Sequence, residues 1–154
     1  MGLPPWFITG ATDGIGLALA QRCQQLGEPT ILLGRRPLAE LSPECFTPDN
    51  YLCVDLADPS AAMQVLAWLE AHGVDRLRGL IHNAAVGWVG DLAEQSPASV
   101  QEITQVNLVA PILLTRALAT RTERVVFISS VVAEWGAARY GVYAATKAAL
   151  LKRK

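Results

Sequence analysis

Trp6-Phe7-Ile8-Thr9-Gly10-Ala11-Thr12-Asp13-Gly14-Ile15-Gly16 is the stretch whose reading decides the fold. Its first four residues form an apolar run that follows Pro4-Pro5 and stops at Gly10, the pattern of a short buried strand. Residues 14–27 then show helical periodicity through Ile15, Leu17, Ala18, Leu19, Cys23 and Leu26, with Gly27 as the stop. Strand, glycine-rich turn and helix therefore follow one another without a spacer. Gly10 suits a sharp turn, Gly14 lets a ligand approach the backbone, and Gly16 lets the helix pack close to the strand. The helix N-terminus offers N–H groups and a positive dipole end to a phosphate. Such loops also serve as plain turns, but this position between strand and helix favours nucleotide binding. The candidate binding residues here are Gly10, Thr12, Asp13, Gly14, Ile15 and Gly16.

Outward from that stretch the chain alternates. Thr30 to Leu33 reads as a second buried strand ending at Gly34-Arg35-Arg36-Pro37. Residues 37–49, with Pro37, Pro43 and Pro48, read as a loop with at most a short helix at 38–41. Tyr51 to Val54 is a third strand closed by Asp55, and 60–72 a helix with Ser60 as candidate cap. Leu77 to Ile81 is a fourth strand. After a loop with Gly87 and Gly90, residues 98–120 read as a helix that Pro111 kinks or bends. Arg124 to Ser129 is a fifth strand, and a last helix starts near Tyr140. Continuous apolar strands alternating with helices predict an α/β fold, a doubly wound parallel sheet covered on both faces. No repeat or linker divides the chain, so 1–154 is expected to be one domain.

Composition excludes several functions. Thirteen Lys+Arg against fourteen Asp+Glu give a net charge of −1, against nucleic-acid binding driven by bulk charge. No apolar run approaches the ~20 residues that span a bilayer, and the start lacks the basic region of a secretory signal. Gly2 is discarded as an acylation site because Trp6 stands where Ser or Thr is needed. Cys23, Cys45 and Cys53 are too few and scattered for a disulfide framework or a metal site, and His72 and His82 have no partnering pattern. Three reduced thiols in a cytoplasmic protein is the expectation. No nucleic-acid, membrane or metal partner is expected.

The strand ends carry the chemistry. Position 34 lies twenty residues after Gly14, near where an NAD-selective site carries an acid for the ribose 2′-hydroxyl. This chain has Gly34-Arg35-Arg36 there. With no carboxylate to repel a 2′-phosphate and two guanidiniums able to pair with one, NADP(H) preference over NAD(H) is expected; two solvated arginines are the competing reading. Asp55-Leu56 can receive the adenine amino group, or Asp55 can cap a helix. Asn83-Ala84-Ala85 gives small residues against which a ribose can lie, and an amide that can tie loops together.

Ser130 follows the fifth strand, Tyr143 comes thirteen residues later, and Lys147 four after that. Tyr143 and Lys147 share a helix face. An ammonium beside a phenol favours the phenolate and makes tyrosine a usable general acid/base. A nearby serine hydroxyl can hold a substrate oxygen as charge develops on it. Tyr-x-x-x-Lys by itself is also a common surface pair, and Asn107 in an apolar stretch is equally ambiguous by itself.

Taken together these residues resemble the short-chain dehydrogenases/reductases. Thr9-Gly10-x-x-x-Gly14-Ile15-Gly16, Asp55, Asn83-Ala84-Ala85, Asn107, Ser130 and Tyr143-x-x-x-Lys147 occur in the family's order over almost the whole chain. The resemblance implies a Rossmann-like fold and hydride transfer between a nicotinamide cofactor and a carbonyl/alcohol pair. It implies that Ser130 and Tyr143 bind the substrate oxygen and that Tyr143 passes a proton. It further implies that Lys147 holds the nicotinamide ribose and that Asn107 supports the water chain that resupplies the proton. His82 stands where the family has Asn and Ala85 where it has Gly; keeping Asn83 makes both tolerable.

The chain stops seven residues after Lys147, at Leu151-Lys152-Arg153-Lys154. The resemblance implies further strands and helices that line the nicotinamide, build most of the substrate pocket and supply much of an oligomer interface. The terminal basic cluster is read as the point where the helix is cut rather than as a nucleic-acid or membrane tag. A catalytically inactive nucleotide-binding remnant, or a fragment needing a partner, is the alternative to an active oxidoreductase. Residues 86–97 and 131–142, with Trp88, Glu134, Trp135 and Tyr140, are expected to flank a small-molecule substrate site.

Overall fold

The computed structural model describes residues 2–135 and 138–151. The basic cluster Lys152-Arg153-Lys154 lies outside the described residues. Among the described residues five strands are observed: β1 (Trp6–Thr9), β2 (Thr30–Gly34), β3 (Tyr51–Cys53), β4 (Gly79–His82) and β5 (Val125–Phe127). They form one parallel sheet in the order β3-β2-β1-β4-β5. The main helices are α1 (Gly14–Gln25), α2 (Ala61–Ala71), α3 (Pro97–Thr104), α4 (Ala110–Leu118) and α5 (Gly141–Leu151).

Successive strand residues point to opposite faces of the sheet, so each strand feeds two cores. Phe7, Leu33 and Leu80 pack on one side with Val65 and Leu69 of α2 and Leu114 and Leu118 of α4. Ile8, Leu32 and Ile81 pack on the other with Ala20 of α1, Phe46 and Tyr51. This double cover explains the unbroken apolar runs and confirms the doubly wound α/β class. At the β5 edge the cover thins, and Val125 and Val126 are each 39% exposed. No helix among the described residues is long and apolar enough to cross a membrane.

Two local expectations are corrected. Ser60 does not cap α2 with its side chain. Asp58 organises that end instead, its Oδ1 accepting from Ser60 N and Ser60 Oγ, both at 2.8 Å, and its Oδ2 from Gln64 Nε2 at 3.0 Å. Ser60 itself has helical backbone angles, φ −84° and ψ −1°, in place of the extended ones of a capping residue. The second correction concerns only where the helix over 98–120 is irregular: helical structure runs unbroken over 97–118, and its distortion precedes Pro111. Between α3 and α4 lies a π-helical turn, Gln105–Val109, in which the Ala110 N–H bonds to the Gln105 carbonyl. Pro111 sits in the first turn of α4, where it has no N–H to give to the Asn107 carbonyl. The widened turn takes up that irregularity.

Candidate functional site

The C-terminal ends of β1, β2, β3 and β4 converge on a cavity of about 470 Å³. Such a crevice lies where strand order reverses, here between β1 and β4. Of the candidate binding residues, Gly10, Thr12, Asp13, Gly14, Arg35, Arg36, Asp55, Leu56, Asn83, Ala84 and Ala85 all line it. Leu33, Gly34, Val54, Val86 and Val106 line it too. These sequence reasoning missed, because a wall of apolar strand ends looks the same as core until the crevice is seen.

The glycine-rich turn is built for close approach. At Gly16 an added Cβ would lie 2.1 Å from the Gly10 carbonyl oxygen and 2.5 Å from Asn83 Nδ2. Gly16 therefore packs behind the cavity rather than lining it, and Ile15 is an exposed residue that does not line it either. Asn83 holds the turn: Nδ2 donates to the Thr9 and Gly10 carbonyls at 3.1 and 3.0 Å. The Thr9 hydroxyl accepts from the backbone N–H groups of Asn83 and Ala84, both at 3.1 Å. Asp13 places a carboxylate at the start of α1, accepting from Gly14 N at 2.7 Å. Asp55 is not a helix cap; its Oδ1 accepts from Ala57 N at 2.9 Å while the residue faces the cavity.

Arg35 and Arg36 stand at the mouth on half-exposed side chains. Arg35 reaches Glu102 of α3 at 3.6 Å, and Arg36 lies 3.9 Å from Glu40. Solvent screening makes such pairs weak and exchangeable. His82 is accommodated as a core residue. Its ring stacks on Phe127 at 4.8 Å, and its Nε2 lies 2.9 Å from Thr115 Oγ1. The Thr115 hydroxyl already donates to the Pro111 carbonyl at 2.7 Å, so Nε2 carries the proton in that contact.

Ser130, Tyr143 and Lys147 lie beyond this cavity, where β5 leads into a short turn (Val131–Ala133) that packs against α5. Lys147 is 3% exposed. Its Nζ donates to the Ile128 carbonyl at 2.8 Å and sits 5.7 Å from the centre of the Tyr143 ring. Burial pushes the Lys147 ammonium below the usual lysine range. The neighbouring serines divide their work. Ser129 Oγ donates to the Lys147 carbonyl at 3.0 Å and ties the strand end to α5. The Ser130 hydroxyl makes no hydrogen bond among the described residues.

Asn107 is 1% exposed and lies in the π-helical turn. Its Oδ1 accepts from Val86 N at 2.8 Å, and its Nδ2 donates to the Val86 carbonyl at 2.9 Å and to Thr146 Oγ1 at 3.2 Å. Thr146 Oγ1 donates to the Tyr143 carbonyl at 2.8 Å. The amide thus joins the loop after β4 to the helix of Tyr143. Thr146 was not singled out from sequence, though its place three residues after Tyr143 on a helix was the available signal.

Of the flanking aromatics, Trp88 folds back over Gly90, where an added Cβ would meet its ring at 2.4 Å. Trp135 is 78% exposed, and the Tyr140 ring lies 6.4 Å from that of Tyr143.

The family model described as short chain dehydrogenase matches residues 6–152. The uncharacterized oxidoreductase YciK of Escherichia coli is 36% identical over 91% of this chain and 61% of its own length. A dihydromonapterin reductase of Klebsiella pneumoniae is 33% identical over 95% of this chain and 63% of its own. The crystal structure of a short-chain dehydrogenase from Streptomyces avermitilis superposes with a TM-score of 0.86 at 29% identity, covering 97% of this chain and 57% of that one. A metagenomic short-chain oxidoreductase in complex with NADP gives 0.79 at 32% identity, covering 94% and 69%. A Brucella ovis oxidoreductase of the family, solved with partially ordered NAD, gives 0.83 at 29% identity, covering 97% and 73%. The chain spans 57–63% of the length of the first curated relatives it matches.

Proposed function

We propose that this chain, which belongs to the short-chain dehydrogenase/reductase family, is an NADP(H)-dependent oxidoreductase that interconverts a carbonyl and an alcohol. The family membership rests on the match over residues 6–152. The chemistry beyond it is our reading of the residues.

The cavity fits a dinucleotide in its donor set. The backbone at Gly14 opens onto free space, α1 points its N-terminus at the turn, and the Arg35 and Arg36 guanidiniums stand at the mouth. Arg35 and Arg36 pair with a 2′-phosphate, Asp55 and Leu56 receive the adenine, and Ala84 and Ala85 lie along a ribose. A bound nicotinamide cofactor supplies or accepts the hydride. Ser130 donates a hydrogen bond to the substrate oxygen. Tyr143 gives that oxygen a proton in reduction and takes it back in oxidation. Lys147 holds a ribose hydroxyl with the N–H groups it does not spend on Ile128, and its charge stabilises negative charge on the Tyr143 oxygen. Asn107 positions Tyr143 through Thr146, supporting the resupply of the proton. The three cysteines are free thiols, which supports a cytoplasmic setting.

The observation that carries the reading is the buried Lys147 ammonium beside the Tyr143 ring, on a helix packed against the turn that follows Ser130. Calorimetric titration of the 154-residue chain with NADPH and NADH, followed by turnover of NADPH with a panel of ketones and aldehydes, tests it. Tighter binding of NADPH and turnover that Tyr143→Phe abolishes are expected. Binding without turnover would make the chain a nucleotide-binding remnant, and binding of neither cofactor would leave it a fragment that needs a partner.

A further inference from the structure

The two carbonyls of Arg35 and Arg36 are held from the neighbouring strand. Tyr51 and Cys53 lie two residues apart on β3, and so share one face of it. The Tyr51 hydroxyl donates to the Arg36 carbonyl at 2.6 Å, and the Cys53 thiol contacts the Arg35 carbonyl at 3.5 Å. The stronger of the two anchors is Tyr51, a short hydroxyl bond from a side chain that is 4% exposed. Its ring is locked edge-on against Phe46, with centroids 5.4 Å apart at 85°. The hydroxyl also sits against the turn that lines the cavity. An added Cβ at Gly34 would lie 2.9 Å from it and 2.5 Å from Thr12 Cγ2. Gly34 thus brings Tyr51, Thr12 and the start of the arginine pair together, yet Tyr51 does not line the cavity itself.

We propose that Tyr51 is a positioning residue for cofactor choice: its hydroxyl fixes the backbone of Arg36 so that the arginine pair meets an anionic group at the end of β2. Resting on the NADP(H) reading above, this takes that group to be the 2′-phosphate. A guanidinium on a wandering loop loses orientation with every backbone rotamer, whereas one on a pinned carbonyl is pre-organised for the anion. Burial pushes the Tyr51 phenol up to about 12, with Cys53 adding to the rise and Arg36 opposing it. The group therefore remains a donor through the whole pH range of a binding assay.

Tyr51→Phe removes the oxygen and keeps the ring. The bond to the Arg36 carbonyl is lost in the free and the bound chain alike, so binding suffers only through the lost pre-organisation of the arginine pair, and NADPH binding is expected to weaken about three- to tenfold. NADH, which has no 2′-phosphate, is expected to bind Tyr51→Phe within about twofold of the wild type, which also controls for folding alongside thermal unfolding. In an Arg35→Ala/Arg36→Ala background the substitution is expected to have no further effect on NADPH binding, because Tyr51 acts on the anion only through those two guanidiniums. Equal weakening of NADPH and NADH would reduce Tyr51 to a core residue and overturn the inference. So would an unchanged NADPH:NADH ratio in Tyr51→Phe while Arg36→Ala collapses that ratio, a result that leaves the NADP(H) reading standing. A wild-type chain that fails to prefer NADPH would remove that reading and this inference with it.

Discussion

Asn107 Nδ2 donates to Thr146 Oγ1 at 3.2 Å, and the same hydroxyl donates onward to the Tyr143 carbonyl at 2.8 Å. With Val86 on its other side, Asn107 occupies all its side-chain polar groups inside the protein. Asn107→Ala is expected to leave the Val86 N–H and carbonyl without their partner at a half-buried position beside the cavity. That should cost about 1–3 kcal/mol of stability and lower kcat more than KM. Urea unfolding and initial-rate kinetics check this. An unchanged midpoint together with unchanged kcat would show that the amide is dispensable.

Tyr143→Phe keeps the ring beside Gly87 and Tyr140 but removes the oxygen. If Tyr143 moves the proton, kcat with a turned-over carbonyl should fall by about 10²–10⁴, while NADPH affinity changes little. Ser129→Ala gives the contrast with Ser130→Ala. The first loses a tie to the Lys147 carbonyl and should lower stability, whereas the second should lower turnover with the melting temperature nearly unchanged. Turnover surviving in Ser130→Ala and lost in Ser129→Ala would reverse the assignment of the two serines.

Arg35 and Arg36 sit on half-exposed side chains, so their pairing with a 2′-phosphate is screened by salt. NADPH affinity is expected to fall between low and high salt more steeply than NADH affinity. Replacing both residues by Ala should bring the two cofactors within about threefold of one another, each charged hydrogen bond lost being worth about 1.5–3 kcal/mol. Parallel salt slopes for the two cofactors in the wild type would argue that the arginines are merely solvated.

The strands and the glycine turn were legible because their signals are local: an apolar run, a Gly, a periodic helix. Gly16 was read as a packing position, and its Cβ would indeed meet the Gly10 carbonyl. The π-helical turn at 105–109 was not legible, since Pro111 announces an irregularity without saying which residues absorb it. Tyr51 reads as an ordinary core aromatic; its partner is a carbonyl fifteen positions earlier, reached only once β2 and β3 pair. Ser60 has the residue type of a cap, but its helical backbone angles keep its side chain from capping α2, and Asp58 two residues earlier binds its N–H instead. His82 in place of Asn was legible as a substitution, whereas the Phe127 and Thr115 surfaces that receive the ring come from β5 and α4.

Lys147 makes the stability of the protein depend on pH in a definite direction. Its ammonium is buried, and burial lowers its pKa in the folded state below the ordinary lysine value of 10.5. Below the lowered value both folded and unfolded chains carry the proton, and the cost of burying the charge is constant. As pH rises through that value the folded chain releases the proton first, while the unfolded chain holds it until about 10.5. Over that window the unfolded state binds more protons, so stability rises with pH. Lys147→Met lacks the titration. The stability of the wild type relative to Lys147→Met is therefore expected to improve as pH rises toward 10.5, measured by urea unfolding at a series of alkaline pH values. A difference that stays flat would mean that Lys147 is solvated rather than buried against Ile128, and one that falls would mean that the folded protein favours the ammonium.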